Sequence, residues 1–149
     1  MSQQQLQQLS QEIQEIQQQI EAMQANVESV QQEKTEADEA IDALETLETG
    51  STVQVPLGGG AYLRASIEDI DEAIVELGAE YAAEFEQDGA ISVLENKKEN
   101  LDDRIDEINE EIAELESEST ELEQQAQQIQ QQAMQQQMQG MGQGPSPDE

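Results

Sequence analysis

The side chains of this 149-residue chain that could do chemistry are nearly all carboxylates. Thirty-five Asp and Glu stand against five Lys and Arg, for a formal net charge of −30. There is no His and no Cys. That removes a His general base, a Cys–His nucleophilic pair and a thiolate–imidazole zinc site. Paired carboxylates can do acid–base work when a pocket fixes their separation. Here they line stretches with helical spacing, an open surface rather than a pocket, so no catalytic residue is assigned and neither enzymatic activity nor a cofactor is expected. The densest run, Glu68-Asp69-Ile70-Asp71-Glu72, lacks the glycine and the distant Glu of an EF-hand loop, so no metal site is expected. Gly58-Gly59-Gly60 is followed by neither Lys-Ser/Thr nor a helix. It reads as a hairpin turn, not a phosphate loop.

The charge argues against nucleic acid and against anionic membranes, both of which need clustered Lys and Arg. Met1 to Gln8 carries no basic stretch, no apolar core of a leader follows, and no apolar run approaches the ~18 residues of a membrane span. The absence of cysteine fits a reducing compartment. The expectation is a soluble, cytoplasmic protein. With two Tyr, one Phe and no Trp, a conventional globular core would lack its large fillers. Long solvated helices or disorder remain, and the pattern decides between them.

Leu6, Leu9, Ile13, Ile16, Ile20, Met23, Val27, Val30, Lys34, Ala37, Ile41 and Leu44 step alternately by three and four, with Lys34 the single polar member. From Ile91 the pattern repeats through Leu94, Lys98, Leu101, Ile105, Ile108, Ile112, Leu115, Ser119, Leu122, Ala126, Ile129, Ala133 and Gln136. This is the narrow seam of a coiled coil. The reading is a helix over 1–48, a different segment over 49–89, a second helix over 90–139 and a disordered tail over 140–149. The seam-bearing stretches 6–48 and 90–132 are equal in length and would each span roughly 65 Å at the standard rise.

Segment 49–89 holds all three aromatic residues and six of the nine glycines. Val53, Val55 and Leu57 alternate with polar neighbours and with Pro56. After the glycine turn, Ala61 to Ile67 alternates again, giving one β-hairpin. Ala73 to Leu77, a Gly78-Ala79 turn and Glu80 to Phe85 give a second. Pro56 cannot donate to a ladder, so its strand is expected at an edge or bulged there. Asp88 is the expected N-cap of the second helix. Two-stranded hairpins are marginal alone and present open edges. Val53, Val55, Leu57, Leu63, Ile67, Val75, Leu77, Tyr81 and Phe85 have no evident cover within one chain. They are therefore expected to form an oligomer interface.

The layout of coiled coil, two hairpins and coiled coil resembles the α class of the archaeal prefoldin family. The stretches Val55-Pro56-Leu57-Gly58-Gly59-Gly60 and Ile74-Val75-Glu76-Leu77-Gly78-Ala79-Glu80-Tyr81 carry the resemblance, over about 6–136. The second hairpin selects the α class, since the β class has one. The resemblance implies an α+β fold, an antiparallel two-helix coiled coil whose hairpins join an oligomeric β-barrel body. It implies two α and four β subunits, unfolded proteins held at the coiled-coil tips without ATP, and delivery to a group II chaperonin. The acidic surface departs from many members and resembles versions from salt-loving archaea. A structural or adaptor coiled coil with fixed partners is the alternative.

Of the 27 Gln, thirteen fall in 1–32 and twelve in 124–143. Residues 1–24 carry three acids and 124–143 carry none, and Met23, Met134, Met138 and Met141 share these regions. Flexible thioethers suit a binder of irregular apolar surfaces. Leu6, Leu9, Ile13, Ile129, Ala133, Met134 and Met138 are the candidate client-binding residues, although the first five also serve as seam. Near the hairpins, Asp38, Glu45, Glu95 and Asp102 share an edge, where like charges repel until salt screens them. Lys97 and Arg104 can meet Glu33 on the other edge. Lys34 and Lys98, polar at seam positions, would specify register.

Overall fold

The structure, a computed structural model, describes residues 2–142. Helix α1 spans Ser2–Thr46 and helix α2 spans Gln87–Gly142. Between them lie strands β1 (Thr52–Gly58), β2 (Ala61–Ser66), β3 (Ala73–Gly78) and β4 (Tyr81–Phe85). β1 pairs with β2 and β3 with β4, each antiparallel, as two separate two-stranded sheets. The chain divides into two compact units. One, made only of helix among the described residues, holds Met1–Val27 and Glu107–Glu149; the other, the hairpin unit, holds Glu28–Asp106.

The helices follow from composition and phase. Gln, Glu, Ala and Leu are good helix formers, and no Pro interrupts either helix. Within the helix-only unit, Ile16, Ile108, Ile112 and Ser119 are buried and Leu6, Leu9, Ile13, Leu122, Ala126, Ile129 and Ala133 half-buried. Within the hairpin unit, Val30, Ala37, Ile41, Leu94 and Leu101 are buried. Every proposed seam residue with a described side chain is at least half-covered except Gln136, which is exposed. Helix α2 starts three residues earlier than the sequence implied and runs to Gly142, so 140–142 belong to helix. The remainder of the expected tail lies outside the described residues.

Two ion pairs fix how the helices lie in the hairpin unit. Lys34 Nζ on α1 is 2.6 Å from Asp102 Oδ1 on α2, and Lys98 on α2 bonds Asp38 on α1. Four residues forward on α1 correspond to four back on α2, so the helices are antiparallel. Asp38 and Asp102, expected to repel across an edge, are instead each neutralised by a seam lysine of the opposite helix. Among the described residues, Lys97 and Arg104 form no such pair with Glu33.

The two hairpins repeat one device. Val55-Pro56-Leu57-Gly58 and Val75-Glu76-Leu77-Gly78 occupy equivalent places. Register shifts between Pro56 and Gly58, and again between Glu76 and Gly78. The irregularity beside Pro56 falls where its missing N–H required it. Each bulge leads into a two-residue turn with positive φ at both positions, the geometry that matches strand twist. In the first hairpin these are Gly59 and Gly60; in the second, Ala79 at 50° and Glu80 at 67°. The second turn is thus Ala79-Glu80, one residue later than expected, because Gly78 serves the bulge.

The hairpin unit has one core cluster: Ile41, Val75, Ala90 and Leu94, flanked by Ala40, Leu44, Ala73, Phe85, Ile91 and Val93. Full burial of a side chain such as Leu94 stabilises by about 1.5–3 kcal/mol. The helix ends meeting this cluster are capped from a distance. Gln87 N donates to Asp71 Oδ1 at 3.2 Å, and Gln87 Nε2 donates to the carbonyls of Leu44 in the last turn of α1 at 2.5 Å and of Leu47 just past it at 3.3 Å. Neither helix has a basic residue in its last turn, so at the α1 terminus the amide supplies the donor that a Lys would offer. Asp88 sits inside the first turn of α2 and is not its N-cap; Glu86 accepts the first helical bond, from Ala90 N at 2.8 Å. The connection between the hairpins is held by Ile70 N on Thr49 Oγ1 and by an Asp69 turn onto Asp71 N.

Candidate functional site: the hairpin faces and the helix ends

In the hairpin unit, apolar side chains divide sharply between two faces. Ala73 pairs with Phe85 and Val75 with Ala83, and this face lies on the helices. Val75 is 7% exposed and Phe85 half-buried. These two residues, expected to need a partner chain, are covered by Ile41, Ala90 and Leu94 of their own chain. The opposite face presents Ile74 at 74% exposure, a residue the sequence reading passed over, and the turn presents Tyr81 at 74%. Leu77 beside the bulge is also exposed.

The first hairpin has little cover. Val55, Leu57 and Leu63 are exposed, while Val53 and Ile67 are half-buried. Val55 pairs with Leu63 and Val53 with Ala65, giving one apolar face; Pro56 pairs with exposed Tyr62 on the other. Tyr62 was missed, because its place across from Pro56 is set by strand register. Exposed apolar side chains are thus concentrated on two hairpins, each of which is marginal alone.

In the helix-only unit, the candidate residues fall into two groups. Leu6, Leu9, Ile13, Ile129 and Ala133 are half-buried along the seam. Met134 and Met138 stand outside it, 65% and 73% exposed, one helical turn apart on α2. Two shallow grooves flank the seam. One is lined by Leu6, Gln7, Ser10, Ile13, Ala126 and Gln130. The other is lined by Gln5, Gln8, Leu9, Glu12, Gln125 and Ile129. Glu12 is the single charged residue in either lining; amides, aliphatic carbons and the Ser10 hydroxyl make up the rest.

The electrostatics are concentrated elsewhere. All five basic residues lie between 34 and 104. The Lys98 amine is held above its ordinary value of 10.5, chiefly by its hydrogen bond to Asp38. Partial burial opposes that rise, and the charges of Asp38, Asp102 and Glu95 add to it. Among the described residues, no cluster of carboxylates is placed to hold a metal ion, and no helix is long and apolar enough to cross a membrane.

A family profile described as "Prefoldin subunit" matches residues 16–132. The chain belongs to the prefoldin family. Prefoldin subunit alpha of Haloarcula marismortui is 73% identical over 56 residues, 38% of this chain and 36% of that protein. Prefoldin subunit alpha of Halorubrum lacusprofundi is 63% identical over 57 residues, 38% of each chain. The matched stretch thus spans little more than a third of these relatives. The fold extends further. The prefoldin beta subunit from Thermococcus strain KS-1 aligns with a TM-score of 0.55 and 23% identity over 83% of this chain and 90% of that one. A chain of the filamentous PFD from Methanocaldococcus jannaschii aligns at 0.52 and 24% over 80% and 95%. The α+β prefoldin fold read from the sequence is therefore the fold observed.

Proposed function

We propose that this chain is the α-class subunit of an ATP-independent holdase. It joins β-class subunits through its hairpins and holds unfolded proteins at the N-terminal end of α1 and the C-terminal end of α2. The observation that carries the reading is the contrast at those ends. A chain of net charge −30 keeps residues 124–143 free of any acid, and there leaves Met134 and Met138 in solvent. Thioethers on an uncharged surface adapt to irregular apolar segments, whereas a fixed-partner scaffold would need a specific patch. The exposed Val55, Leu57, Leu63, Leu77 and Tyr81, with half-buried Val53 and Ile67, supply the surface for subunit joining. The family resemblance supports two α with four β subunits, handover to a group II chaperonin and a cytoplasmic setting. No enzymatic step and no cofactor enters this reading.

The test is co-expression with a β-class partner, measurement of the native mass, and an aggregation assay with a denatured client in molar KCl. A complex that suppresses aggregation, and loses that capacity when 1–12 and 130–149 are removed, supports the reading. Full suppression by the truncated complex overturns the placement of the client.

A further inference from the structure

Met134 and Met138 have a chemistry that client holding does not use. They are one turn apart, so their side chains neighbour each other on one strip of α2. Both are mostly in solvent, and the flanking residues from Gln130 to Gln139 carry no charge. The seam thioether of the same unit, Met23, is half-buried. With no cysteine in the chain, a two-electron oxidant has only thioether sulfur to attack.

We propose that Met134 and Met138 form a reversible oxidation site that releases or weakens client binding. The inference rests on the holdase reading above. A peroxide is the oxidant. The sulfur lone pair attacks one peroxide oxygen, the O–O bond breaks, and a sulfur–oxygen bond forms. The departing oxygen takes the protons and leaves as water. Each sulfur is oxidised by two electrons and the peroxide is reduced by two. The product sulfoxide is polar and chiral where the thioether was apolar and compliant. An uncharged surface whose grip depends on thioether adaptability therefore loses that grip, while the half-buried seam keeps the fold. A thiol-dependent methionine sulfoxide reductase would return the sulfur to its original state.

The experiment uses the assembled complex with β-class subunits, treated with hydrogen peroxide and mapped by peptide mass spectrometry. Met134 and Met138 should gain one oxygen each well before Met23. Client-holding capacity should fall several-fold with unchanged circular dichroism, and recover on incubation with the reductase. A Met134→Leu/Met138→Leu variant keeps volume and apolar character but has no sulfur at these positions; whatever client it holds, peroxide should not lower that holding. Sparing of Met134 and Met138, undiminished holding after their oxidation, or persistent peroxide sensitivity of the leucine variant overturns the proposal. A Met134→Gln/Met138→Gln variant separates the two readings. If it holds client like the parent, these residues are not the client surface and both readings of them fail. If it loses holding while oxidation has no effect, the oxidation proposal alone fails.

Discussion

The amine of Lys34 on α1 lies 2.6 Å from the Asp102 carboxylate on α2, and the reciprocal pair joins Lys98 to Asp38. Together these contacts specify register. Sliding one helix by a heptad in one direction would bring Lys34 opposite Asn109 and Lys98 opposite Glu45. Sliding it the other way would bring Lys34 opposite Glu95 and Lys98 opposite Gln31. Each slip keeps one lysine facing a carboxylate and leaves the other facing an amide, so the observed register alone satisfies both. A seam of Leu, Ile and Ala tolerates such slips, which is why polar seam residues are worth their cost in stability.

The Lys34–Asp102 pair should therefore show coupling. Its side chains are 28% and 49% exposed, so the interaction is expected to contribute about 0.2–1 kcal/mol at low salt. Lys34→Asp should destabilise the subunit, and adding Asp102→Lys should recover most of the loss. A double-mutant cycle by urea unfolding measures this. Zero coupling would remove the pair from any role in register.

Lys98 sets an alkaline limit. Its folded-state pKa lies above the ordinary 10.5, so folding favours the protonated form. The stabilisation is complete below the unfolded value and is lost as pH rises through the folded one. Helicity should therefore fall more steeply above about pH 10.5 in the parent than in Lys98→Gln. Parallel alkaline melts of the two proteins would contradict this.

Salt should act in the opposite sense from its effect on these pairs. Screening weakens Lys34–Asp102, yet the chain carries 35 acids against five bases, and repulsion among the unpaired carboxylates is the larger quantity. The isolated subunit is expected to gain helix from dilute to molar KCl. A flat circular-dichroism titration would show that the residual repulsion is negligible.

How much of this was legible in sequence depends on how far apart the interacting residues are. The seam was readable because a three-four spacing of apolar residues is local, and Ile16, Val30, Ile41 and Leu94 are buried where it placed them. The hairpins were readable from alternation and glycine. Alternation cannot say which face meets the helices, so Val75 was assigned to the interface and Ile74 was passed over. The turn was displaced because Gly78 looked like a turn residue, whereas Ala79 and Glu80 bear the positive φ. The bonds of Gln87 to Asp71, sixteen residues away, and to Leu44, forty-three away, leave no local mark. The helix ends were readable as composition, but the split between half-buried Leu6 and exposed Met138 needed the packed seam.

The second hairpin turn has room for improvement. Ala79 and Glu80 both sit in the left-handed region, which disfavours residues with a Cβ. Asn-Gly is the preferred pair for this turn. Ala79→Asn with Glu80→Gly should stabilise the subunit by about 1 kcal/mol, since relief of strain exceeds the added chain entropy. Unfolding midpoints at equal m-value would report it, and a lower midpoint would show that the turn is not strained.

Gln87 joins three segments through one residue, its backbone to the inter-hairpin loop and its side chain to carbonyls at the end of α1 and just past it. Gln87→Ala removes the side-chain donors, and water can replace part of their effect. The expected loss is about 0.5–1.5 kcal/mol. Gln87→Glu is the sharper test. It is nearly the same size, but places a carboxylate against carbonyls at the negative end of the α1 dipole. At neutral pH it should be less stable than Gln87→Ala. On acidification the introduced carboxyl regains a proton to donate, and the order of the two variants should reverse. Urea unfolding of both at neutral and acidic pH makes the comparison, with the parent as reference for the general effect of acid. A Glu variant as stable as the parent at neutral pH would mean that the amide bonds to Leu44 and Leu47 do not hold the helix ends together.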